Sequence, residues 1–206
     1  MLLANGLECV RGERRLFRDV GFELDPGTLL HVQGRNGSGK TSLLRMLCGL
    51  LAPEAGDIQW NGTDVRALGE SYRGELFYLG HQNAIKDDLT PTENLLVSET
   101  LAEVPVTRAS AREALARLGL AGYEDLPTRV LSQGQKRRVA LARLLSRERS
   151  RLWLLDEPFV ALDPLAVTEL TGIISDQLGG DGIVVYTTHQ DVNIAARKRV
   201  ELRLGK

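Results

Sequence analysis

The run Gly34-Arg35-Asn36-Gly37-Ser38-Gly39-Lys40-Thr41-Ser42 carries the pattern G-x-x-x-x-G-K-[ST]. An apolar strand-like run, Leu29-Leu30-His31-Val32, precedes it, and a helical repeat of leucines follows. In that setting the glycines let the backbone curl so that successive N–H groups converge on an anion, and the helix N-terminus adds a partial positive charge. Lys40 is placed to reach terminal phosphates, and the Thr41 hydroxyl to ligate Mg²⁺. The loop calls for a strand–loop–helix unit, the opening move of an α/β fold with a mainly parallel sheet.

The flanking sequence extends that unit in both directions. The spacing predicts strands over 2–10 and 16–24, with turns at Arg11-Gly12 and Asp25-Pro26-Gly27. Leu43, Leu44, Met46, Leu47 and Leu50 share a helical face from Gly39 onward, and Pro53 is expected to stop that helix. Short strands follow over 58–60, entering a turn at Asn61-Gly62, and over 76–79. Residues 83–130 read as a helical insertion, with helices near 92–101 and 110–118, the second capped by Ser110. Beyond it come a helix at 133–147, a strand at 151–155, a helix at 164–178, a strand at 183–187 and a helix from 190. Strands alternating with helices argue for a parallel sheet covered on both faces, within a single domain over 1–206.

Composition narrows the field. A net charge of −1 over 206 residues, with a pI near 6.3, gives no basic footprint for nucleic acid. Two cysteines, Cys9 and Cys48, exclude a disulfide scaffold and fit a reducing compartment. No apolar run reaches the ~18 residues of a membrane span, and the N-terminus lacks the features of a signal peptide.

A second chemical element lies at Leu152-Trp153-Leu154-Leu155-Asp156-Glu157, an apolar strand ending in two carboxylates. Parallel sheets present ligand sites at the carboxyl ends of their strands, so Asp156 is expected to face the glycine-rich loop and hold Mg²⁺. Glu157 is placed to polarise a water as general base.

Leu131-Ser132-Gln133-Gly134-Gln135, opening a basic helix about twenty residues earlier, makes the reading specific. It resembles the signature motif of ABC-transporter ATPases, whose usual form has glycine where this chain has Gln133. Gln82 resembles that family's Q-loop glutamine, Ala161-Leu162-Asp163 its D-loop, and His189 its switch histidine. The chain is thus identified as a P-loop NTPase of ABC type: a mainly parallel core sheet, an antiparallel N-terminal β portion, and a helical subdomain at about 83–130 between Q-loop and signature. Stretches such as Tyr78 to Lys86, Gly119 to Pro127 and Thr187 to Gln190 are similar to the haem-exporter ATPases of bacterial cytochrome c biogenesis.

The resemblance implies a homodimer with two ATP molecules at its interface, each meeting one subunit's phosphate loop and the other's signature helix. It implies ATP and Mg²⁺ as cofactors, with Thr41, Asp156 and Gln82 around the metal. Glu157, His189 and Gln82 would form the catalytic set, Asp163 the D-loop contact, and Leu131 to Gln135 the site offered in trans. Integral membrane permease subunits would be the partners, with the chain peripheral on the cytoplasmic side of the cell inner membrane. The family's adenine-stacking aromatic has its counterpart near Arg11, while Phe17 is expected in the core. A transporter with another cargo, a soluble ABC ATPase acting on DNA or ribosomes, and a P-loop kinase remain open alternatives; the kinase explains neither the signature motif nor Glu157.

Overall fold

The computed structural model describes residues 1–147 and 150–205. Two sheets form the scaffold. The first is antiparallel, with strands β1 (Leu2–Arg11), β2 (Arg14–Leu24), β4 (Ala55–Trp60) and β5 (Thr63–Asp64) in the order β2-β1-β4-β5. The second is parallel and carries the ligand-facing loops: β6 (Leu76–Leu79), β7 (Leu152–Asp156), β8 (Ile183–Thr187), β3 (Thr28–Gln33) and β9 (Lys198–Arg203), in that spatial order. This is the expected mainly parallel core with an antiparallel N-terminal part.

The uninterrupted apolar runs of β7 and β8 follow from burial on both faces. Trp153, Leu155, Val184 and Tyr186 point into one core cluster; Leu152, Leu154, Ile183 and Val185 point into the other. Helix α1 (Lys40–Leu47), the antiparallel sheet and the short helices α2 (Val65–Leu68) and α3 (Glu70–Glu75) cover the second face. The first face is covered by α4 (Pro91–Leu101), α5 (Arg108–Arg117), α6 (Gln133–Ala142) and α7 (Pro164–Gly179). Leu95, Ala111, Leu115 and Leu118 of the inserted segment belong to the same cluster as Trp153 and Phe77, so the insertion shares that core, packing mainly on α6 and the turn after it. No helix among the described residues is long and apolar enough to cross a membrane.

Several local expectations change. Helix α1 ends at Leu47, because Gly49 turns left-handed (φ 71); Leu50 is 65% exposed and lies off the apolar face. The cap of α5 is Thr107, whose hydroxyl accepts from the Ser110 N–H, and Ser110 answers as the third residue of that capping box. The signature helix runs only to Ala142 before tightening into a 3₁₀ turn at Arg143–Ser146. There the Arg143 and Arg147 guanidiniums lie 5.2 and 5.6 Å from the Phe77 ring centroid, beside the buried Glu99.

The helix expected from 190 is absent. Residues 190–197 are irregular, with polar groups engaged elsewhere: the Gln190 amide donates to the Phe159 carbonyl, and the Ala195 N–H to the Ser175 hydroxyl. The chain continues into β9, an edge strand whose Val200 and Leu202 face inward while Arg199, Glu201 and Arg203 face outward.

Candidate nucleotide site

Strand register brings the chemical residues together. Leu79 pairs with Leu155, Asp156 with Thr187, and Thr187 with Val32, so the loops after β6, β7, β8 and β3 start at one level of the sheet. All open on the carboxyl side, where a doubly covered α/β sheet binds ligands.

The glycine-rich loop curls as the sequence implies. Gly37 and Gly39 take φ of 78 and 101, and the Ser38 N–H closes a turn onto the Arg35 carbonyl at 3.1 Å. At Gly39 a Cβ would come within 2.9 Å of the Phe17 ring, so only glycine lets the loop lie on that buried side chain. Phe17 is therefore core, as expected, and Arg11 is exposed at the end of β1.

Lys40 is nearly buried; its Nζ donates to the Gly34 carbonyl at 2.8 Å and lies 3.2 Å from His189 Nε2. The Thr41 hydroxyl donates to Asp156 Oδ2 at 2.7 Å. The other Asp156 oxygen accepts from the Thr187 hydroxyl at 2.8 Å, and that hydroxyl accepts from the Glu157 N–H at 2.8 Å. One threonine thus orients both carboxylate residues. His189 Nε2 also lies 3.2 Å from Asn36 Oδ1 and 3.4 Å from Glu157 Oε1. It meets one donor, Lys40, and two acceptors, so the ring tautomer decides which of them Nε2 bonds.

Behind His189, His31 stacks on Tyr186 at 4.6 Å. The Gln33 amide donates to His31 Nδ1 at 3.1 Å, leaving Nε2–H to donate to the Thr188 carbonyl at 3.3 Å. That bond fixes the residue immediately before His189.

The cleft enclosed by these groups has a volume of about 420 Å³ and is lined by Arg35, Asn36, Lys40, Thr41, Asp156 and Glu157 among others. His81 lines it, whereas the expected Gln82 is exposed and does not, and His189 lines a neighbouring cavity of about 440 Å³ with His31, Gln33 and Tyr186. None of Leu131, Ser132, Gln133, Gly134 and Gln135 lines it either. Ser132 instead caps α6: its hydroxyl accepts from the Gln135 N–H at 3.2 Å, and Gln135 Oε1 accepts from the Ser132 N–H at 2.9 Å. Gln133 is exposed and needs no glycine. A Cβ at Gly134 would meet the Ala161 carbonyl oxygen at 2.7 Å, so here the helix and the 161–163 loop require glycine for their close approach. Asp163 caps α7 through the Ala166 N–H at 2.9 Å and pairs with Arg138 of α6.

Sequence reasoning missed three parts that hold the site's frame: Thr187, His31 and Arg137. Arg137 is 4% exposed and donates to the carbonyls of Asp156, Glu157, Pro158 and Gly80 and to Asn83 Oδ1. Only its place in a basic helix was visible beforehand.

A phosphate loop and a carboxylate pair converging on one cleft at the strand ends of a parallel sheet, with His189 against its edge, define a nucleotide-binding cassette of the P-loop class. Residues 17–160 match the ABC transporter family. The cytochrome c biogenesis ATP-binding export protein CcmA of Dechloromonas aromatica is 60% identical over 205 residues, all of both chains. The protein of the same name from Escherichia coli is 46% identical over 96% of this chain and 93% of its own. An ATP-binding subunit of an ABC transporter superposes with a TM-score of 0.78 at 26% identity, over 91% of this chain and 79% of its own. A dimeric cassette bound to ADP and Pi shares the fold with a TM-score of 0.83 at 22% identity, over 100% and 97% of the two chains. The chain belongs to the ABC transporter ATPases and, within them, to the CcmA family of cytochrome c biogenesis ATP-binding export proteins.

Proposed function

We propose that this chain is the ATP-hydrolysing engine of a haem exporter serving cytochrome c biogenesis, peripheral on the cytoplasmic side of the inner membrane and attached to CcmB- and CcmC-like permease subunits. The observation that carries the ATPase reading is the hydrogen-bonded chain from Thr41 through Asp156 and Thr187 to Glu157, with His189 lying between Glu157 and Lys40. The haem cargo rests on the similarity to CcmA proteins.

In this reading Gly34, Arg35, Asn36, Gly37, Ser38 and Gly39 wrap the phosphates with backbone N–H groups, and Lys40 exchanges its Gly34 contact for phosphate oxygens. Ser42 sits at the same helix start. Thr41 and Asp156 present oxygen donors 2.7 Å apart, the chemistry Mg²⁺ prefers, with Gln82 completing the set once its loop turns inward. The metal supplies charge neutralisation on the phosphates. Glu157 accepts a proton from the attacking water, and His189 donates to the terminal phosphate. Ser132 and Gly134 serve the partner copy's nucleotide, Asp163 meets that copy across the interface, and hydrolysis moves the permease through the inserted helices.

Glu157→Gln should retain ATP binding, lower turnover about a hundredfold or more and accumulate a nucleotide-locked dimer. Wild-type turnover in that variant refutes the base assignment. Ser132→Arg should stop hydrolysis while each monomer still binds ATP; loss of monomer binding would contradict the split site. The cargo is tested by whether deletion of the chain blocks delivery of haem to periplasmic cytochrome c.

A further inference from the structure

Arg137 lies on α6, beyond the Ser132 cap, and has no carboxylate partner among the described residues. Its Nη2 donates to the Glu157 carbonyl at 2.8 Å and the Asp156 carbonyl at 3.1 Å. Its Nη1 donates to Asn83 Oδ1 at 3.1 Å and the Gly80 carbonyl at 3.3 Å, and its Nε to the Pro158 carbonyl at 3.4 Å. Burying a guanidinium among neutral acceptors is unfavourable, and burial holds its pKa near 10, against the pull of the Asp156 and Glu157 charges. Such an arrangement persists when every N–H finds an acceptor and the fork geometry serves the groups it binds.

What it binds is a strained turn. Glu157 is an ordinary residue in the left-handed region, at φ 49, between a strand and Pro158. Thr187 holds its N–H from one side and Arg137 holds its carbonyl from the other. With both ends of the residue fixed, the direction of its Cα–Cβ bond is fixed as well, and the carboxylate lies 3.4 Å from His189 at the edge of the cleft that Lys40 and Thr41 line.

We infer that Arg137 is the positioning residue for Glu157: it clamps the 156–158 carbonyls in the left-handed turn that aims the Glu157 carboxylate, and so ties the pose of that carboxylate to the position of α6. The same guanidinium grips Gly80 and Asn83 on either side of Gln82. A shift of the helix beginning at Ser132 therefore reaches this chain's own base and the loop after β6 through one side chain. The inference rests on the reading of Glu157 as general base.

The test is steady-state hydrolysis by the full chain assembled with the membrane subunits it purifies with, in Arg137→Met, Arg137→Lys, Glu157→Gln and the Arg137→Met/Glu157→Gln double variant. Arg137→Met is expected to lower kcat by about tenfold or more with KM for ATP within about twofold, and Arg137→Lys to recover part of the loss. In the Glu157→Gln background the Met substitution should change the residual rate by less than about twofold, since there is no base left to aim. An unchanged kcat in Arg137→Met while Glu157→Gln is inactive overturns the positioning role alone. An equal loss in both backgrounds, or a KM that rises with the fall in kcat, also overturns it. If Arg137→Met does not fold, Arg137→Lys alone decides, through lowered kcat at constant KM or its absence. Full turnover in Glu157→Gln removes the base assignment and the positioning role with it.

Discussion

The floor of the nucleotide cleft and the belt of loops around Arg137 and Asn94 are held by opposite means. On the floor, regular backbone presents side chains: strand ends and a helix start place Lys40, Thr41 and Asp156 within hydrogen-bond reach. In the belt, side chains hold irregular backbone. Asn94 Oδ1 accepts from the Lys86 N–H at 2.7 Å, and its Nδ2 donates to the Lys86 and Thr90 carbonyls and to the Thr128 hydroxyl. That one amide joins the loop after β6, the start of α4 and the approach to the signature helix. Arg137 does the same for the loops at Gly80 and Asp156 to Pro158. The floor is rigid because its backbone pairs with itself; the belt is rigid only while two or three side chains stay in place.

Lys40→Met gives the sharpest break on the floor. Loss of charge-assisted bonds to phosphate, about 3 kcal/mol, should weaken ATP binding roughly a hundredfold while the melting temperature barely changes. Calorimetric titration with ATP checks the affinity and a thermal melt of the free protein checks the stability; a large drop in thermal stability would show that the floor, too, depends on side-chain contacts.

In the belt the order of effects should reverse. Asn94→Ala leaves the Lys86 N–H and nearby carbonyls without partners, a loss of about 2 kcal/mol in unfolding free energy by urea titration. ATP affinity of the monomer should stay within about twofold, because the floor is untouched. Parallel loss of affinity would merge the two regions into one.

Thr187→Val tests the seam between them. Its hydroxyl serves Asp156 and the Glu157 N–H at once, so turnover should fall about tenfold, with a stability loss of about 1 kcal/mol. Hydrolysis assays alongside thermal melts separate the two.

Two neighbours on the signature helix should part company, one of them giving the smallest effect of all. Gly134→Ala drives a methyl into the Ala161 carbonyl and should cost about 1–3 kcal/mol, whereas Gln133→Gly should alter turnover less than about twofold. Equal damage from both would mean that the loop needs flexibility at each position and not space at one.

The contrast between floor and belt also explains what the sequence disclosed. Gly34 to Thr41 and Leu152 to Glu157 are readable because local period and composition dictate their backbone, and the backbone places the chemistry. Arg137 and Asn94 are not readable, since their acceptors are main-chain carbonyls that any residue supplies; Gly80 is 57 positions from Arg137. Residues 190–197 were misread for a related reason: their backbone is claimed by Ser175 and Phe159, partners that local propensity does not register. Gln133 departs from the usual glycine of the signature, and the close approach at Gly134 shows which of the two positions lacks room for a side chain.

The edge strand β9 bears on how the chain is made. β3, which delivers the phosphate loop, pairs with β8 on one side and β9 on the other, and Gln33 meets Arg203 across 170 residues. During synthesis Leu29, Leu30 and Val32 therefore emerge long before either neighbour exists. They must wait, with both strand edges open, until almost all of the described chain has left the ribosome. The early-made antiparallel sheet and α1, which share a core cluster with Leu30 and Val32, are the cover available in that interval. Chaperone dependence of the newborn chain should accordingly track release of residues 183–203.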